Sequence, residues 1–206
     1  MDPLGKLEEI FRHFPGIGPR QAKRFAYFLL TKSDTDLAEF SKSILELKKS
    51  VFACSLCQRF FPAGSKVVNA EVPICSICND PNRDTDTLMI VGRDIDLQAV
   101  ERSRAYNGLY FVLGGSVPIF DVAPDQKIRL EQMTSQEEGH KLKEVILATS
   151  VNPEGEHTAS YVAGLLKPLI NTHSFRVSTL GRGLSTGTEL EYSDSETLKS
   201  ALQNRR

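Results

Sequence analysis

The run Leu88-Met89-Ile90-Val91, closed by Gly92, is the clearest structural signal in the sequence. Four consecutive apolar residues without polar alternation are typical of a strand that is buried on both faces of a parallel sheet. Three similar runs follow, at 109–113, 145–148 and 175–180, and stretches with helical character separate them. Strands that alternate with helices predict an α/β fold with a mostly parallel sheet and flanking helices.

The helices around this sheet are predicted from the same patterns. One covers residues 96–104, a second runs over 155–167 and stops at Pro168, and a last short helix covers 195–202. Proline ends a helix because it lacks an N–H group and its ring clashes with the preceding turn. Two capping-box patterns, which satisfy the first N–H groups of a helix, occur at Thr134-x-x-Glu137 and Ser193-x-x-Glu196.

The front of the chain has the pattern of three amphipathic helices, joined into a small helical module. Their apolar residues recur three or four positions apart, which places them on one face of each helix. The third helix runs over about 36–51, and we expect its apolar face to point inward. The three apolar sets are Leu7, Ile10, Phe11 and Phe14; Ala22, Phe25, Ala26 and Leu29; and Leu37, Phe40, Ile44, Leu47 and Val51.

The four cysteines form two pairs, Cys54-x-x-Cys57 and Cys75-x-x-Cys78, with 17 residues between them. This spacing is typical of a structural Cys₄ zinc site, because each turn presents two thiolates and two turns complete a tetrahedron. The protein would fill every position on the ion, so we expect one structural zinc and no catalysis by it. The alternatives are two disulfides, which are rare in a reducing cytosol, or four buried free thiols.

Composition is that of an ordinary globular protein. Of 206 residues, 40% are hydrophobic and 25% are charged, and the formal net charge is −1. Residues 1–79 hold 11 Lys and Arg against 8 Asp and Glu, whereas residues 80–206 hold 14 against 18, which indicates different partners for the two halves. No run approaches the ~18 apolar residues of a membrane span. Because the N-terminus also lacks a signal-peptide pattern, we expect a cytoplasmic protein.

The segment Phe14-Pro15-Gly16-Ile17-Gly18-Pro19-Arg20 joins the first two helices and resembles the hairpin of helix-hairpin-helix DNA-binding modules. Gly16 and Gly18 permit tight turns and close approach by a ligand. The N–H groups that begin the second helix suit a phosphate, and Arg20, Lys23 and Arg24 add positive charge there. We expect sequence-independent, salt-sensitive binding to the DNA backbone. The alternative is an ordinary turn between helices with solvated charges.

The predicted sheet looks like a Toprim domain, the sheet of topoisomerases and primases. That resemblance implies that an active enzyme would carry a glutamate after the first strand and an Asp-x-Asp pair after a later one. Here Gly92-Arg93 follows the first strand, and residues 149–152 are Thr-Ser-Val-Asn. We therefore expect no phosphoryl-transfer catalysis.

Glu154 and Glu156 open the helix that follows the third predicted strand. Acidic residues at a helix N-terminus are favoured by the helix dipole, and this role alone could explain them. The other readings are a residual cation site or an acidic docking surface for a basic partner. We favour the docking surface.

The order of modules resembles that of the RecR family of bacterial recombination mediators over nearly the whole chain. We divide the chain into a helix-hairpin-helix module at 1–53, a zinc finger at 54–79, a Toprim-like domain at 80–172 and a C-terminal strand and helix segment at 173–206. The matching segments are Pro15-Gly16-Ile17-Gly18-Pro19-Arg20, the four cysteines, Leu113-Gly114-Gly115, Glu154-Gly155-Glu156-x-Thr158-Ala159, Arg182-Gly183-Leu184 and Glu189-Leu190-Glu191-Tyr192-x-Asp194.

The resemblance implies a role in DNA repair without enzymatic activity. RecR-type proteins assemble as ring-like homotetramers that can encircle DNA. They act with RecO, and in some bacteria with RecF, to load RecA onto single-stranded DNA. By this resemblance Arg20 and Arg24 would face DNA, and Glu154 and Glu156 would lie where RecO docks. A ring would also strengthen binding by one weakly charged hairpin, because four copies around one duplex multiply the contacts.

Three places depart from the family pattern. Phe111 stands in the strand before the paired glycines where a histidine is usual, residues 116–121 lack the usual Ser-Pro-rich form, and Gly92-Arg93 replaces glutamates of many members. These departures bear on partner contacts at the sheet rather than on the fold.

Two other functions stay open. A Toprim-type metal-dependent nuclease or primase-like enzyme would need the missing carboxylates, and a zinc-stabilised interaction module would not bind DNA.

Overall fold

A computed structural model describes residues 2–62, 72–119, 128–129, 142–181, 183–184, 187 and 189–203. The chain divides into two compact units, Met1–Val51 and Phe52–Arg206. The predicted capping box at Thr134-x-x-Glu137 and the matching residue Arg182 lie outside the described residues. Each unit is described by itself.

The first unit consists of helices α1 (Pro3–Arg12), α2 (Pro19–Leu30) and α3 (Asp34–Ser50), so the three predicted helices are confirmed. The helix starts follow from local capping: the Asp2 side chain accepts the Gly5 N–H at 2.8 Å, and the Ser33 hydroxyl accepts the Asp36 N–H at 3.2 Å. The α1 and α2 helices pack together through an edge-to-face contact of Phe11 and Phe25, whose ring centroids lie 5.7 Å apart.

The inward orientation predicted for α3 is wrong for the single chain. Phe40, Ile44 and Leu47 are 49%, 55% and 60% exposed, although Leu37 and Val51 are partly buried. The apolar periodicity is real, but a unit of about fifty residues has too little surface to bury three helix faces. A capping box and an i,i+4 ion pair between Lys42 and Glu46 instead support the helix locally.

The second unit is built on a four-stranded parallel sheet. The strands are β3 (Asp84–Val91), β4 (Gly108–Val112), β5 (Glu144–Ala148) and β6 (Arg176–Thr179), in the order β4-β3-β5-β6. Leu88 of the central strand pairs with Leu109 on one side and Val145 on the other. All four predicted strands and the α/β class are therefore confirmed. A short two-stranded sheet, β1 (Val51–Ala53) and β2 (Phe60–Pro62), precedes them.

Both faces of the four-stranded sheet are covered, which explains the unbroken apolar run of β3. Leu88 and Ile90 pack on one face with Leu166 of helix α5 (Pro153–His173). Met89 and Val91 pack on the opposite face with Leu97 of helix α4 (Asp94–Ser103) and with the cysteine segment. The sheet thus separates α5 from α4 and the cysteines.

The predicted end of a helix at Pro168 is wrong, because α5 continues through it to His173. A proline inside a helix removes one hydrogen bond and crowds the previous turn. Here Leu166 is fully buried before the proline, and Leu169 and Ile170 pack against the same core after it. This packing on both sides offsets the local cost. The proline itself lies on the exposed side.

The C-terminal segment contains a single 3₁₀ turn, Leu190–Tyr192, and helix α6 (Ser195–Gln203). The predicted last helix is confirmed, but Ser193 is not its cap. The side chain of Asp194 accepts the Thr197 N–H at 2.9 Å, one residue later than the capping-box pattern indicated. Aspartate at this position satisfies the free N–H groups as well as serine does.

Candidate nucleic-acid interface and metal centre

The hairpin between α1 and α2 is a tight turn, closed by the Ile17 N–H, which donates to the Phe14 carbonyl at 3.1 Å. Gly16 has φ +78°, a left-handed conformation that favours glycine. Gly18 has an ordinary extended backbone, φ −83° and ψ 170°, so its turn does not require glycine. Neither glycine has a heavy atom near the place where a Cβ would stand. The turn is therefore open to close approach from outside.

Helix α2 begins without a side-chain cap. Gly18 occupies the N-cap position, Pro19 is the first helical residue, and no side chain accepts a hydrogen bond from the first turn. Pro19 has no N–H group, and the Gln21 N–H donates to the Gly18 carbonyl at 3.0 Å. Within the described residues, the Gly18 and Arg20 N–H groups and the positive end of the dipole are therefore what this helix start offers to an anion. A phosphate site at this turn stays a prediction.

Arg20, Lys23 and Arg24 lie at positions i, i+3 and i+4 of α2, so they share one side of the helix start. All three are exposed. Arg24 makes only a 3.4 Å hydrogen bond to the Gln21 side chain, and the Lys23 ammonium lies 5.8 Å from the Tyr27 ring. Within the described residues none of the three forms an ion pair, so their charge is available to a partner.

The four cysteines come together, as their spacing predicts. Their Sγ atoms all lie within 4.8 Å of one another, and Cys57 and Cys75 are 3.6 Å apart. A tetrahedral site with metal–sulfur bonds of ~2.3 Å has sulfur–sulfur edges of about 3.8 Å. Three of the thiols are buried and Cys78 is partly buried. The cluster therefore fits a four-coordinate metal ion, and its thiol chemistry suits one.

Local turns hold the cysteines in place. The Cys54 N–H donates to the Arg59 carbonyl at 2.8 Å, and the Gln58 N–H donates to the Cys54 carbonyl at 2.9 Å. Gln58 takes up a left-handed φ of 62° in this turn. Hydrogen bonds with the other three thiols lower the pKa of Cys54, and the hydrogen bond with Cys54 raises the pKa of Cys57. A metal ion would bind all four as thiolates.

Three contacts join the cysteine segment to strand β4, to helix α4 and to Arg129. The Val112 N–H donates to the Cys57 carbonyl at 2.9 Å, and the Phe60 N–H donates to the Asp94 carboxylate at 2.7 Å. The Arg129 guanidinium donates to the Gln58 carbonyl. The metal centre is therefore attached to one edge and one face of the sheet.

The carboxyl ends of the strands form a cleft of about 180 Å³. It is lined by Gly92 and Arg93 after β3, by Ser116 after β4 and by residues 149–150 after β5. Arg93 lies 3.6 Å from the Asp96 carboxylate, which also accepts the Arg93 N–H at 2.9 Å. Arg93, the second residue after β3, therefore places a cation beside an acidic side chain.

Glu154 and Glu156 lie exposed in the first turn of α5, where Asn152 caps the helix through a 2.7 Å bond from the Gly155 N–H. The structure does not bring the two carboxylates into one site. Glu154 lines the cleft at the strand ends, whereas Glu156 lines a separate cleft of about 560 Å³ beside the end of β6. Residues two apart on a helix point in different directions.

The sequence analysis missed one charged pair. Two nitrogens of the Arg83 guanidinium donate hydrogen bonds to the two Glu101 carboxylate oxygens, at 2.8 and 2.6 Å. These hydrogen bonds lower the pKa of Glu101. The two residues are 18 positions apart and on different elements, so no local pattern connects them. Charged residues beside a CxxC motif were the one available signal.

The segments that the structure describes include no helix long and apolar enough to cross a membrane.

Comparison with known proteins identifies three matching families along the chain. The helix-hairpin-helix family of RecR matches residues 4–48, the Toprim domain matches residues 86–180, and the C-terminal family of RecR matches residues 183–206.

Curated relatives match nearly the whole chain. The recombination protein RecR of Lactococcus lactis subsp. cremoris is 36% identical over 205 residues, covering 99% of this chain and 96% of its own length. RecR of Lactobacillus johnsonii is 36% identical over 204 residues, with coverage of 98% and 96%. RecR of Cyanothece sp. is 37% identical over 205 residues, with coverage of 99% and 95%.

Proposed function

Because the chain belongs to the RecR family of recombination proteins, we propose that it is a DNA-binding recombination mediator without catalytic activity of its own. In this proposal it acts in the cytoplasm with RecO, and in some settings RecF, to help load RecA onto single-stranded DNA. The observation that carries the proposal is the uncapped start of α2 with three exposed cations on one side, none of which forms an ion pair with another described residue. Such a surface binds phosphates and reads no bases.

The DNA site of this proposal consists of Gly16, Gly18, Arg20, Lys23 and Arg24. Gly16 makes the turn possible, and Gly18 leaves the helix N-terminus open because it has no side chain to cover it. The cations would neutralise backbone phosphates on either side of the one held by the N–H groups. Binding is then independent of base sequence and steeply dependent on salt.

We propose that the protein works as a ring-shaped homotetramer. The first unit supports this proposal, because the α3 residues Phe40, Ile44 and Leu47 are exposed, as are Phe28 and Leu30 of α2. Several exposed large apolar side chains on so small a unit are typical of an interface between subunits. A second copy of the unit would cover it with the same residues. Several hairpins would then contact one DNA molecule, which raises the affinity through effective concentration.

We assign the ion of the metal centre as zinc. Four thiolates at tetrahedral spacing match its preferred coordination, and no position is left for water. The ion would stabilise the fold. The Arg93 guanidinium beside Asp96 supports a role without catalysis at the strand ends, since it supplies positive charge near the place where an active enzyme that resembles this fold would carry a glutamate. Glu154 and Glu156 would contact RecO from two neighbouring clefts.

The proposal is tested by fluorescence anisotropy with labelled DNA of random sequence, from 50 to 200 mM salt at fixed protein concentration. Three cations per hairpin give a slope of about −2.7 in log affinity against log salt, so affinity falls roughly 40-fold over this range for each hairpin engaged. Of the three cations, the R20A/R24A variant keeps only Lys23. Its slope should therefore be about −0.9, and its affinity should fall only roughly 3.5-fold between 50 and 200 mM salt.

The charge-matched control is K48A/K49A, which removes two exposed cations from the last turn of α3 in the same unit. It should bind DNA as the unchanged protein does. Equal binding by R20A/R24A and the unchanged protein would reduce the hairpin to a structural turn and leave a metal-stabilised interaction module. Cleavage of DNA that requires magnesium and is lost on replacing Asp96 would instead establish the nuclease alternative.

A further inference from the structure

The second unit contains a basic cleft of about 450 Å³ beside the metal centre. One wall is the second CxxC turn, which contributes Ser76, and the other is α4, which contributes Gln98 and Arg102. Arg59, at the end of the first CxxC turn, also lines it. These four side chains offer guanidinium, amide and hydroxyl donors to the same space.

The acidic groups in the cleft are already engaged within the protein. Glu101 accepts two hydrogen bonds from the Arg83 guanidinium, at 2.8 and 2.6 Å. One oxygen of Asp80 accepts both the N–H and the side-chain amide of Asn82, each at 3.0 Å. The lining therefore holds two carboxylates and three arginines, and Glu101, the more buried of the two acids, is paired with Arg83. A net positive charge remains on the lining.

Arg59 and Arg102 carry that remaining charge. Arg59 is positioned through its backbone, since its carbonyl accepts the Cys54 N–H at 2.8 Å. Arg102 donates through Nε to the Gln98 carbonyl at 3.3 Å, which leaves its two terminal nitrogens for another acceptor. Among the residues that the structure describes, neither arginine forms an ion pair. Guanidinium groups whose terminal nitrogens have no acceptor among the described residues match phosphate oxygens, which such groups bind in bidentate fashion.

We propose that this cleft holds a backbone phosphate of DNA, as a second contact on a different unit from the hairpin. The inference rests on the proposed function and extends the DNA site to Arg59 and Arg102. A nucleotide base is a poor occupant, because none of the described residues that line the cleft is aromatic and a base would have nothing to stack on. The cleft is also open rather than enclosing, which suits a continuous polymer better than a small molecule.

The test is the salt dependence of DNA binding in R59A/R102A, measured by anisotropy beside R20A/R24A. If each arginine holds a phosphate, the slope in log affinity against log salt becomes shallower by about 1.8 in the variant. The fold-loss of affinity between 50 and 200 mM salt is then about 12 times smaller for the variant than for the unchanged protein. The R59K/R102K variant keeps the charges and should keep most of the slope. The control K167A/K199A removes two exposed cations from α5 and α6 and should leave the slope unchanged.

Zinc content and melting temperature equal to those of the unchanged protein will show that R59A/R102A is folded. One result would overturn the proposal that the cleft binds DNA: R59A/R102A is folded and keeps the slope, while R20A/R24A loses binding. The proposed function would then still stand. This result is also expected if an acidic protein segment occupies the cleft. Absence of salt-dependent DNA binding by the unchanged protein overturns both.

Discussion

The Arg83–Glu101 pair is the most buried of the ion pairs in the described residues, and replacing Arg83 by methionine tests what it contributes. The guanidinium lies 2.8 and 2.6 Å from the two carboxylate oxygens. The Arg83 side chain is 12% exposed and the Glu101 side chain 26%. Methionine fills much of the same space but donates nothing, so R83M leaves a partly buried carboxylate without its partner.

The expected cost follows from this intermediate burial. Removing one partner of a fully buried pair costs about 3–5 kcal/mol, whereas an exposed pair contributes about 0–1 kcal/mol. Since Glu101 keeps about a quarter of its exposure, we expect R83M to lower the free energy of unfolding by about 2–3 kcal/mol. For a unit of this size the melting temperature should fall by roughly 4–12 °C.

The double variant R83M/E101Q separates the pair from the other effects of each replacement. In the double variant the carboxylate is absent, so no uncompensated charge faces the methionine. The loss in free energy of unfolding should therefore be about 1–2 kcal/mol smaller than the sum of the losses in the two single variants. The assay is thermal and urea unfolding of all four proteins at pH 7, followed by circular dichroism.

The pH dependence supplies an independent check. The hydrogen bonds from Arg83 lower the pKa of Glu101 in the folded protein. A lowered pKa means that the contribution is fully present above the unfolded value of about 4.3 and is lost as pH falls through the folded value. The stabilities of the unchanged protein and R83M should therefore converge below about pH 4. Additive single effects at pH 7, or a constant difference down to low pH, would refute this account of the pair.

Three further changes test the metal centre and the helix α5. Cys57→Ser should reduce bound zinc below one ion per chain, which metal analysis measures. It should also lower the melting temperature by roughly 10 °C or more, because structural zinc contributes on the order of 10 kcal/mol to folding. Full metal content with an unchanged melting temperature would contradict this prediction. Leu166→Ala should cost about 3–5 kcal/mol in urea unfolding, because the side chain is fully buried, and a cost near zero would contradict the packing. Gly155→Ala should destabilise by about 2 kcal/mol or more, since its Cβ would lie 2.0 Å from the Ser150 carbonyl oxygen. The control Gly164→Ala meets nothing within 4 Å and should stabilise by about 0.5–1 kcal/mol; equal effects of the two changes would contradict the reasoning.

The sequence predicted the sheet well, because a run such as 88–91 has few ways to bury four consecutive apolar side chains. It also predicted the cysteine cluster, since local geometry brings two thiols together in each turn and the repeated motif indicates that both turns serve one ion. It failed at Pro168, where packing of Leu166 and Ile170 outweighs a local helix-breaking preference. Local preference gives the cost of a residue, and the tertiary contacts that offset this cost are not visible in the sequence.

The face of α3 shows a different limit. Periodicity at Phe40, Ile44 and Leu47 correctly indicates that one side of the helix is apolar, but it does not say what covers that side. In the single chain these residues are exposed. The cleft at Arg59 and Arg102 was also missed, because it depends on how α4 packs beside the cysteine turns. Long-range placement of this kind leaves no periodic trace.

The order of the strands has a consequence for synthesis on the ribosome. Leu88 of β3 pairs with Leu109, which is 21 residues later, but its other partner, Val145, is 57 residues later. The cysteine turns and the β3–β4 pair can therefore form while the nascent chain still lacks β5. At a synthesis rate of about 5–20 residues per second, Val145 is added roughly 3–11 s after Leu88. The second edge of the central strand stays unpaired for that time. During that interval an apolar, unpaired strand edge is exposed, which makes this the stage of biogenesis most vulnerable to aggregation.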